Sequence, residues 1–357
     1  MGSIPTKLYC INCLWFVLAF GSCKGPNSSK SVKINERTIG TIVSQFDGKV
    51  SVVFQDKQNN FWFGGHEKGV YKYNNTDWTL FTSKDGLCSA AVIGIQEDKL
   101  GNLYFDTPEG ISKFDGQKFT TLDIAKQDAS KNQWQLNPDD LWFRMGWNQK
   151  GPYRYDGQML HYLEFPKPSL ADEFYAQYPN ASFSPYSIYS MYKDRKGHLW
   201  FGTSSLGACR FDGKSIQWLY EQHLSETPSG GNFGIRSIFE DKNGQFWFTN
   251  TRHRYTIASD NASDSISYQK ERGIERASDL YFMSIVESDL GDLWLATYDD
   301  GVWCKKGNEF IHYPIKEGEK DVLLFSIYKD NEGALWLTTQ NAGLYKYNGQ
   351  GFEKFTP

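Results

Sequence analysis

The chain has 357 residues, 39% apolar and 22% charged, with a formal net charge of −4. This balance is that of a globular protein and excludes wholesale disorder, and without a basic excess no nucleic-acid partner is expected. Aromatic residues reach 16%, with 12 Trp, 21 Tyr and 25 Phe beside 33 Gly, which favours many short strands over long helices.

The first element is a targeting segment. Lys7 is the only charge in residues 1–22, and an apolar run from Leu8 to Gly21 follows it. The run is too short to span a bilayer comfortably. It ends at Gly21-Ser22-Cys23 and turns polar in Lys24-Gly-Pro-Asn-Ser-Ser-Lys30. Small residues before a Cys resemble a bacterial lipobox, so residues 1–22 are expected to be a lipoprotein signal peptide. Cys23 is then the lipidated first residue of a linker, 23–32. An ordinary secretory signal and an uncleaved anchor are the alternatives. Past Cys23 only Cys88, Cys209 and Cys304 remain, without CxxC or Cys/His clustering, so neither a disulfide framework nor a zinc site is expected.

The rest, 33–357, reads as one domain of seven repeats. Each copy has a short apolar run ending in Asp, then Gly-x-Leu-Trp-Phe-Gly-Thr, then Gly-Val-x-Lys-Tyr-Asn-Gly and a last aromatic strand. The central aromatics are Trp62, Tyr104, Trp142, Trp200, Trp247, Trp294 and Trp336, spaced by 42, 38, 58, 47, 47 and 42. Each copy divides into four strands of 4–6 residues. The second, such as Phe61-Trp62-Phe63, is apolar on consecutive residues and so needs cover on both faces. Blades packed face to face around an axis supply it. The expected fold is all-β, a seven-bladed β-propeller of four-stranded antiparallel blades. Residues 33–46 read as an extra outer strand that could lie against the last blade and help close the ring, a place for which Phe352–Phe355 competes.

The turns support the blades. A polar residue, Asp in most copies, stands six positions before the aromatic. Gly101, Gly197, Gly244, Gly291 and Gly333 stand three before it, with Asn59 in the first copy. Gly and Asn share tolerance of positive φ, so a left-handed hairpin residue is expected there. The second hairpins carry Asp115-Gly116, Asp156-Gly157, Asp212-Gly213 and Asn348-Gly349. A calcium loop is the other reading of Asp-x-x-Gly, but it needs more oxygen ligands than these turns offer. No metal and no cofactor is expected.

These residues resemble the two-component regulator propeller repeat, whose pattern Met191–Gly213, Val322–Gly349 and Ala91–Gly116 follow over most of their length. The resemblance covers about residues 40–357. It implies an extracytoplasmic sensor-type propeller, because in that family two such propellers often form the periplasmic sensor of a hybrid histidine kinase that responds to oligosaccharides. This chain holds one propeller and no kinase or DNA-binding segment, so phosphotransfer within it is not expected. A separate sensor kinase or a cell-surface protein complex is the expected partner class. With Cys23 lipidated, the propeller would sit in the cell envelope, on the periplasmic or cell-surface side of a bacterial membrane.

Function is expected on one face. The first-to-second and third-to-fourth turns are short and share a side. The opposite side carries the second-to-third loops and the blade connections, where 121–133, 158–186, 219–234 and 251–281 are long. Irregular loops on a regular scaffold are where binding resides. Copies three and five lose the repeat's residues and gain Arg144, Trp147, Arg252, His253 and Arg254, and copy six adds Tyr298 and Asp299. Flat aromatics with planar cations and amides suit an oligosaccharide or another polar small molecule. Tyr175, Tyr178 and Tyr186 read as anchors of the 166–186 insertion, and His66 as an exposed loop residue. No Gly-x-Ser-x-Gly elbow or phosphate loop occurs, and no catalytic residue is assigned. The alternative is a propeller lyase or glycoside hydrolase. It would need an acid/base pair such as His253 with Glu271 or Asp299, or a convergence of Arg144, Arg252 and Arg254.

Overall fold

The indoles of four central Trp residues, Trp62, Trp200, Trp247 and Trp336, explain the six-residue spacing. In a computed structural model, Asp194 Oδ1 accepts the backbone amides of Lys196 and His198 at 3.0 and 2.8 Å, and its Oδ2 accepts Trp200 Nε1 at 2.9 Å. Asp56 binds Trp62, Asp241 binds Trp247 and Asp330 binds Trp336 in the same way, at 2.7, 2.9 and 2.8 Å. Asp98 accepts the Tyr104 hydroxyl at 3.0 Å. One carboxylate thus closes the hairpin and satisfies the buried polar atom of the side chain that fills the blade interface. The glycines three before the aromatic have φ from +77° to +86°, and Asn59 has +63°, as expected of a left-handed turn position.

The structure describes residues 39–46, 49–126, 133–221, 224, 234–250, 252–258, 265–273, 280–340 and 342–356. They form seven blades around an axis, at 41–81, 94–121, 141–162, 188–219, 238–272, 282–313 and 324–354. Blades two, four, five, six and seven are four-stranded antiparallel sheets in chain order, the first strand innermost. The second strands Phe61–Gly64, Leu103–Thr107, Leu199–Thr203, Leu293–Thr297 and Leu335–Thr339 are buried at every residue, as blades covered on both faces require. Rings carry the packing from blade to blade. Trp62 meets Phe105 at 5.6 Å, Trp142 meets Phe201 at 5.9 Å and Trp200 meets Phe246 at 4.8 Å. Among the described residues no helix is long and apolar enough to cross a membrane.

The ring closes by a latch that also joins blades one to two, four to five and five to six. Glu97 Oε2 accepts the Lys57 amide of the preceding blade's turn at 3.1 Å, and Glu240 Oε2 that of Arg195 at 2.8 Å. Gln55 does this from blade one to blade seven, its Oε1 accepting Asn331 N at 2.7 Å. The backbone N–H of Gln55 donates to Tyr328 Oη at 2.9 Å, and Phe61 packs on Trp336 at 4.8 Å. The N-terminal strand takes no part in blade seven, contrary to expectation. Thr41–Val43 pairs with Trp78–Leu80 as a fifth, outermost strand of blade one. Phe46 holds it there against Tyr71 and Trp78, at 4.8 and 5.6 Å. Phe352–Lys354 keeps the outer place in blade seven, and Phe355 packs on Trp336 at 4.8 Å.

Blade three departs from the four-stranded plan. Its sheet has three strands, Leu141–Phe143, Tyr153–Tyr155 and Leu160–Tyr162, so the second-strand equivalent is innermost. The Asp-to-indole anchor is replaced by an ion pair. Asp140 Oδ2 accepts Arg154 Nη1 at 2.8 Å, and both side chains are about 95% buried. Blade two covers the bare inner edge with side chains, Gln96 Nε2 donating to Trp142 O at 2.6 Å. In the following insertion Ser169–Gln177 is an α-helix, an element unforeseen in the sequence. Tyr186 is buried and anchors the insertion as expected, whereas Tyr175 and Tyr178 are exposed and meet the Phe174 ring.

Blade three's second hairpin makes a prediction for acid. Burial alone would raise the Asp156 pKa, but the amides of Met159 and Gln158 and the ring of His161 hold it at about 2, against 3.8 for a free side chain. A depressed carboxylate contributes stability that is present above its unfolded pKa and lost as the pH falls through the folded one. Asp156→Asn is therefore expected to flatten the stability profile between about pH 4 and pH 2, measured by denaturant melts across that range, and to leave its shape unchanged above. An unaltered acid limb would contradict the assignment.

Candidate functional site

A cavity of about 1120 Å³ occupies the axis and opens among the second-to-third loops. Its wall is one column of the repeat. Ser51, Ile93, Tyr189, Arg236, Met283 and Phe325 all stand five positions before the residue that starts the first hairpin, and all line it. Small residues follow that column, Gly94, Ser190, Ser237, Ser284 and Ser326, and keep the centre open. Among the described residues blade three has no first strand and no member of the column, and the cavity extends to Pro138, Asp140, Leu141 and Trp142.

The second-to-third loops are normally held shut by a threonine three residues after the aromatic. Thr203 Oγ1 donates to Gly207 O at 2.8 Å and accepts the Leu206 amide at 2.8 Å. Thr107, Thr297 and Thr339 do the same. In blade three that position is Met145, with φ +48°, followed by Gly146 at +102°. The loop leaves in the left-handed region and carries Trp147, 37% exposed, to the cavity wall. A carboxylate replaces the threonine clamp. Asp106, buried in blade two, accepts the amides of Arg144 and Met145 at 2.8 and 2.9 Å. Ser187 Oγ donates to Trp147 O from the far side.

Two stacked cation–aromatic pairs meet there. The Arg144 guanidinium lies 5.2 Å from the Trp147 ring centroid, and the Arg236 guanidinium 4.0 Å from that of Tyr189. Trp147 and Tyr189 touch edge to face at 6.5 Å. Arg144 is pinned by backbone carbonyls, Nη1 donating to Tyr189 O at 3.2 Å and Nη2 to Ile93 O. Burial lowers the Arg144 pKa, Asp106 acts in the opposite sense, and the Arg236 charge lowers it further. Burial raises the Asp106 carboxyl, with Arg144 and the two amides opposing the rise. Around the mouth stand Phe183, half exposed, and His66, whose ring is 5.8 Å from Phe325. Gln340 Nε2 donates to the Tyr298 hydroxyl at 3.4 Å beside them.

The residues singled out in the sequence are thus divided. Arg144, Trp147 and Tyr298 line the cavity; Arg252, His253, Arg254 and Asp299 are not on its wall. His253–Ile257 is the third strand of blade five rather than part of an open loop. Arg254 Nη2 pairs across to Glu271 Oε2 at 3.0 Å, and Gln245 Nε2 donates to the same oxygen at 3.0 Å. The Arg252 amide donates to Asn250 Oδ1 at 3.1 Å, and Asp299 is exposed. Cys23 lies outside the described residues. Asp106, Tyr189, Arg236 and Phe183 were overlooked in the sequence. Asp106 had a signal, being a charge inside the fully buried strand Leu103–Thr107.

Comparison with known proteins agrees with this architecture. Residues 182–205 match the family model described as the two component regulator propeller. A 57-residue stretch is 37% identical to histidine kinase P4 of Formosa agariphila, covering 16% of this chain and 4% of that protein. Among solved structures, the extracellular domain of a putative one-component system from B. thetaiotaomicron is similar at TM-score 0.58 and 19% identity, over 86% of this chain and 40% of that one. Virginiamycin B lyase from Staphylococcus aureus is similar at TM-score 0.58 and 14% identity, over 84% of this chain and 94% of that one. PorZ, a surface component of the type-IX secretion system of Porphyromonas gingivalis, is similar at 0.56 and 16% identity, over 86% and 47%. At these identities the likeness is one of fold.

Proposed function

We propose that this seven-bladed propeller, which carries a two component regulator propeller repeat, is a lipid-anchored, extracytoplasmic binding protein whose central cavity takes a carbohydrate. The observation that carries the reading is the Arg144–Trp147–Tyr189–Arg236 row on the cavity wall, with half-exposed Phe183 at the mouth. Ring faces suit the C–H faces of sugars, and fixed planar donors suit their hydroxyls. The extracellular and cell-surface settings of similar propellers support an extracytoplasmic place. A separate sensor kinase or a surface protein complex is the proposed partner, reading the loaded propeller.

Binding is favoured over catalysis by how the cavity's carboxylates are used. Asp106 holds two backbone amides and Asp140 is paired with Arg154, so both are committed to the scaffold. Two measurements test the proposal. A thermal-shift screen of the full chain against neutral and acidic oligosaccharides is expected to yield a stabilising ligand, since anything that binds only the folded state raises the melting temperature. Cys23→Ser is expected to move the protein from the membrane to the soluble fraction, because lipid chains are the anchor. A variant that still sediments with membranes contradicts the lipid anchor, and a screen with no shift contradicts the carbohydrate.

A further inference from the structure

Among the described residues the exposed aromatic side chains are Trp147, Tyr175, Tyr178 and Phe183, and all belong to blade three's open loop or to the insertion that follows that blade. The most exposed aliphatic side chains, Leu100 and Leu290, stand apart from them, on the first hairpins of blades two and six. The rings form a continuous surface. Trp147 and Phe183 line the cavity, and Ser184, next to Phe183, donates its hydroxyl to Gln149 O in the Trp147 loop at 3.4 Å. Phe183 meets Phe174 at 5.9 Å, and Phe174 meets Tyr178 at 5.2 Å and Tyr175 at 5.4 Å. The aromatic surface therefore leaves the cavity mouth and continues over the insertion helix Ser169–Gln177 as a ledge. The ledge is fixed from below. Ala171 and Phe174 are buried in the core shared by blades three and four, beside buried Tyr186, and Ser204 Oγ donates to Ser184 O at 2.9 Å. Exposed rings gathered on a well-packed element mark a surface that meets a ligand or a partner.

Resting on the carbohydrate reading above, we infer that the ligand is an extended oligosaccharide chain rather than a mono- or disaccharide: one end lies in the cavity against Trp147, and the units that follow leave the mouth over Phe183 and stack on Tyr178 and Tyr175. A sugar ring offers a C–H face to an aromatic ring and hydroxyls at its rim, and a tyrosine hydroxyl can donate to or accept from them. The hydrophobic contact made by a protein or lipid partner is non-directional and rewards aliphatic area as well as rings. Here rings gather at the mouth while the most exposed aliphatic residues stand elsewhere. Because packing already orders the ledge, the outer units find their stacking surface in place, and their contacts are not offset by a cost of ordering the protein.

Calorimetric titration of the full chain tests this with the biose and the hexaose of four neutral series: cello-, malto-, laminari- and xylo-oligosaccharides. In the series that binds, the hexaose is expected to bind about tenfold more tightly than the biose, the gain of a stacked ring. Tyr175→Ala/Tyr178→Ala is expected to bring the hexaose down to the biose affinity and to leave the biose unchanged, whereas Trp147→Ala weakens both. Tyr175→Leu/Tyr178→Leu keeps apolar cover and removes the rings. It is expected to behave as the alanine pair does, and it decides if that pair fails to fold. A hexaose that binds no more tightly than the biose, or that keeps its full affinity in the leucine pair, overturns the ledge and leaves the carbohydrate cavity standing. No binding of any probe overturns both.

Discussion

Truncating Trp200 or Trp336 to alanine is expected to cost about 3–5 kcal/mol in denaturant melts, the range for a large aromatic removed from a tight core. Both side chains are fully buried. Trp200 fills the interface between blades four and five, against Phe246 at 4.8 Å, and Trp336 fills the seam between blades seven and one, against Phe61 at 4.8 Å. Each truncation leaves a cavity and also strips a donor from a buried carboxylate, Asp194 or Asp330. Gly197→Val and Gly244→Val are expected to lose less, because each turn is open to solvent and only the φ of +86° or +77° opposes the side chain. Melting temperatures unchanged in all four variants would contradict the blade assignment.

Removing one partner of the Asp140–Arg154 pair should be equally damaging. With both side chains about 95% buried, Arg154→Leu is expected to cost about 3–5 kcal/mol by leaving the buried Asp140 carboxylate without its cation. The double variant Asp140→Leu/Arg154→Leu is expected to recover most of that loss, since two apolar groups carry no unpaired charge. A double-mutant cycle on urea melts measures the coupling. Additive losses would mean that the pair does not replace the missing turn anchor of blade three.

How much of this was legible follows from what repeats. Seven aromatics at similar spacing announce seven blades, and Gly or Asn at one turn position announces positive φ. Both are local rules, the first written seven times and the second six. The reason for the six-residue offset was hidden, because nothing in a sequence shows that Asp194 reaches an indole N–H. The closure was half visible: Gln55 occupies the place of Glu97, Glu240 and Glu287, and an amide oxygen accepts from a neighbouring turn as a carboxylate does. Residues 33–46 could not be placed, since an outer strand reads the same whichever edge it joins.

The cavity was harder to see for a different reason. Attention to broken repeats found Arg144 and Trp147, which a lost Thr clamp delivers to the axis. The same attention led to Arg252, His253 and Arg254, where the repeat is broken in letters but kept in structure: His253–Ile257 still pairs as a strand with Tyr268–Arg272. Tyr189 and Arg236 were missed because they sit in regular first strands. Their column varies from blade to blade, Ser51, Ile93, Tyr189, Arg236, Met283 and Phe325, while its flanks stay alike. Variation at one register position of an otherwise uniform repeat is the signal that a sequence could have offered.

The central claim is that ligand enters the axial cavity from the side of the second-to-third loops. It is tested most directly by titrating the oligosaccharide that most raises the melting temperature into wild type, Trp147→Ala and the paired control Asp115→Ala/Asp212→Ala. Asp115 and Asp212 start third-to-fourth hairpins on the opposite side, where each caps its own turn. The account predicts a loss of about tenfold or more in affinity for Trp147→Ala, with little change in melting temperature, and unchanged affinity in the control. Full affinity in Trp147→Ala together with a loss in the control would place the site on the other face and contradict the account.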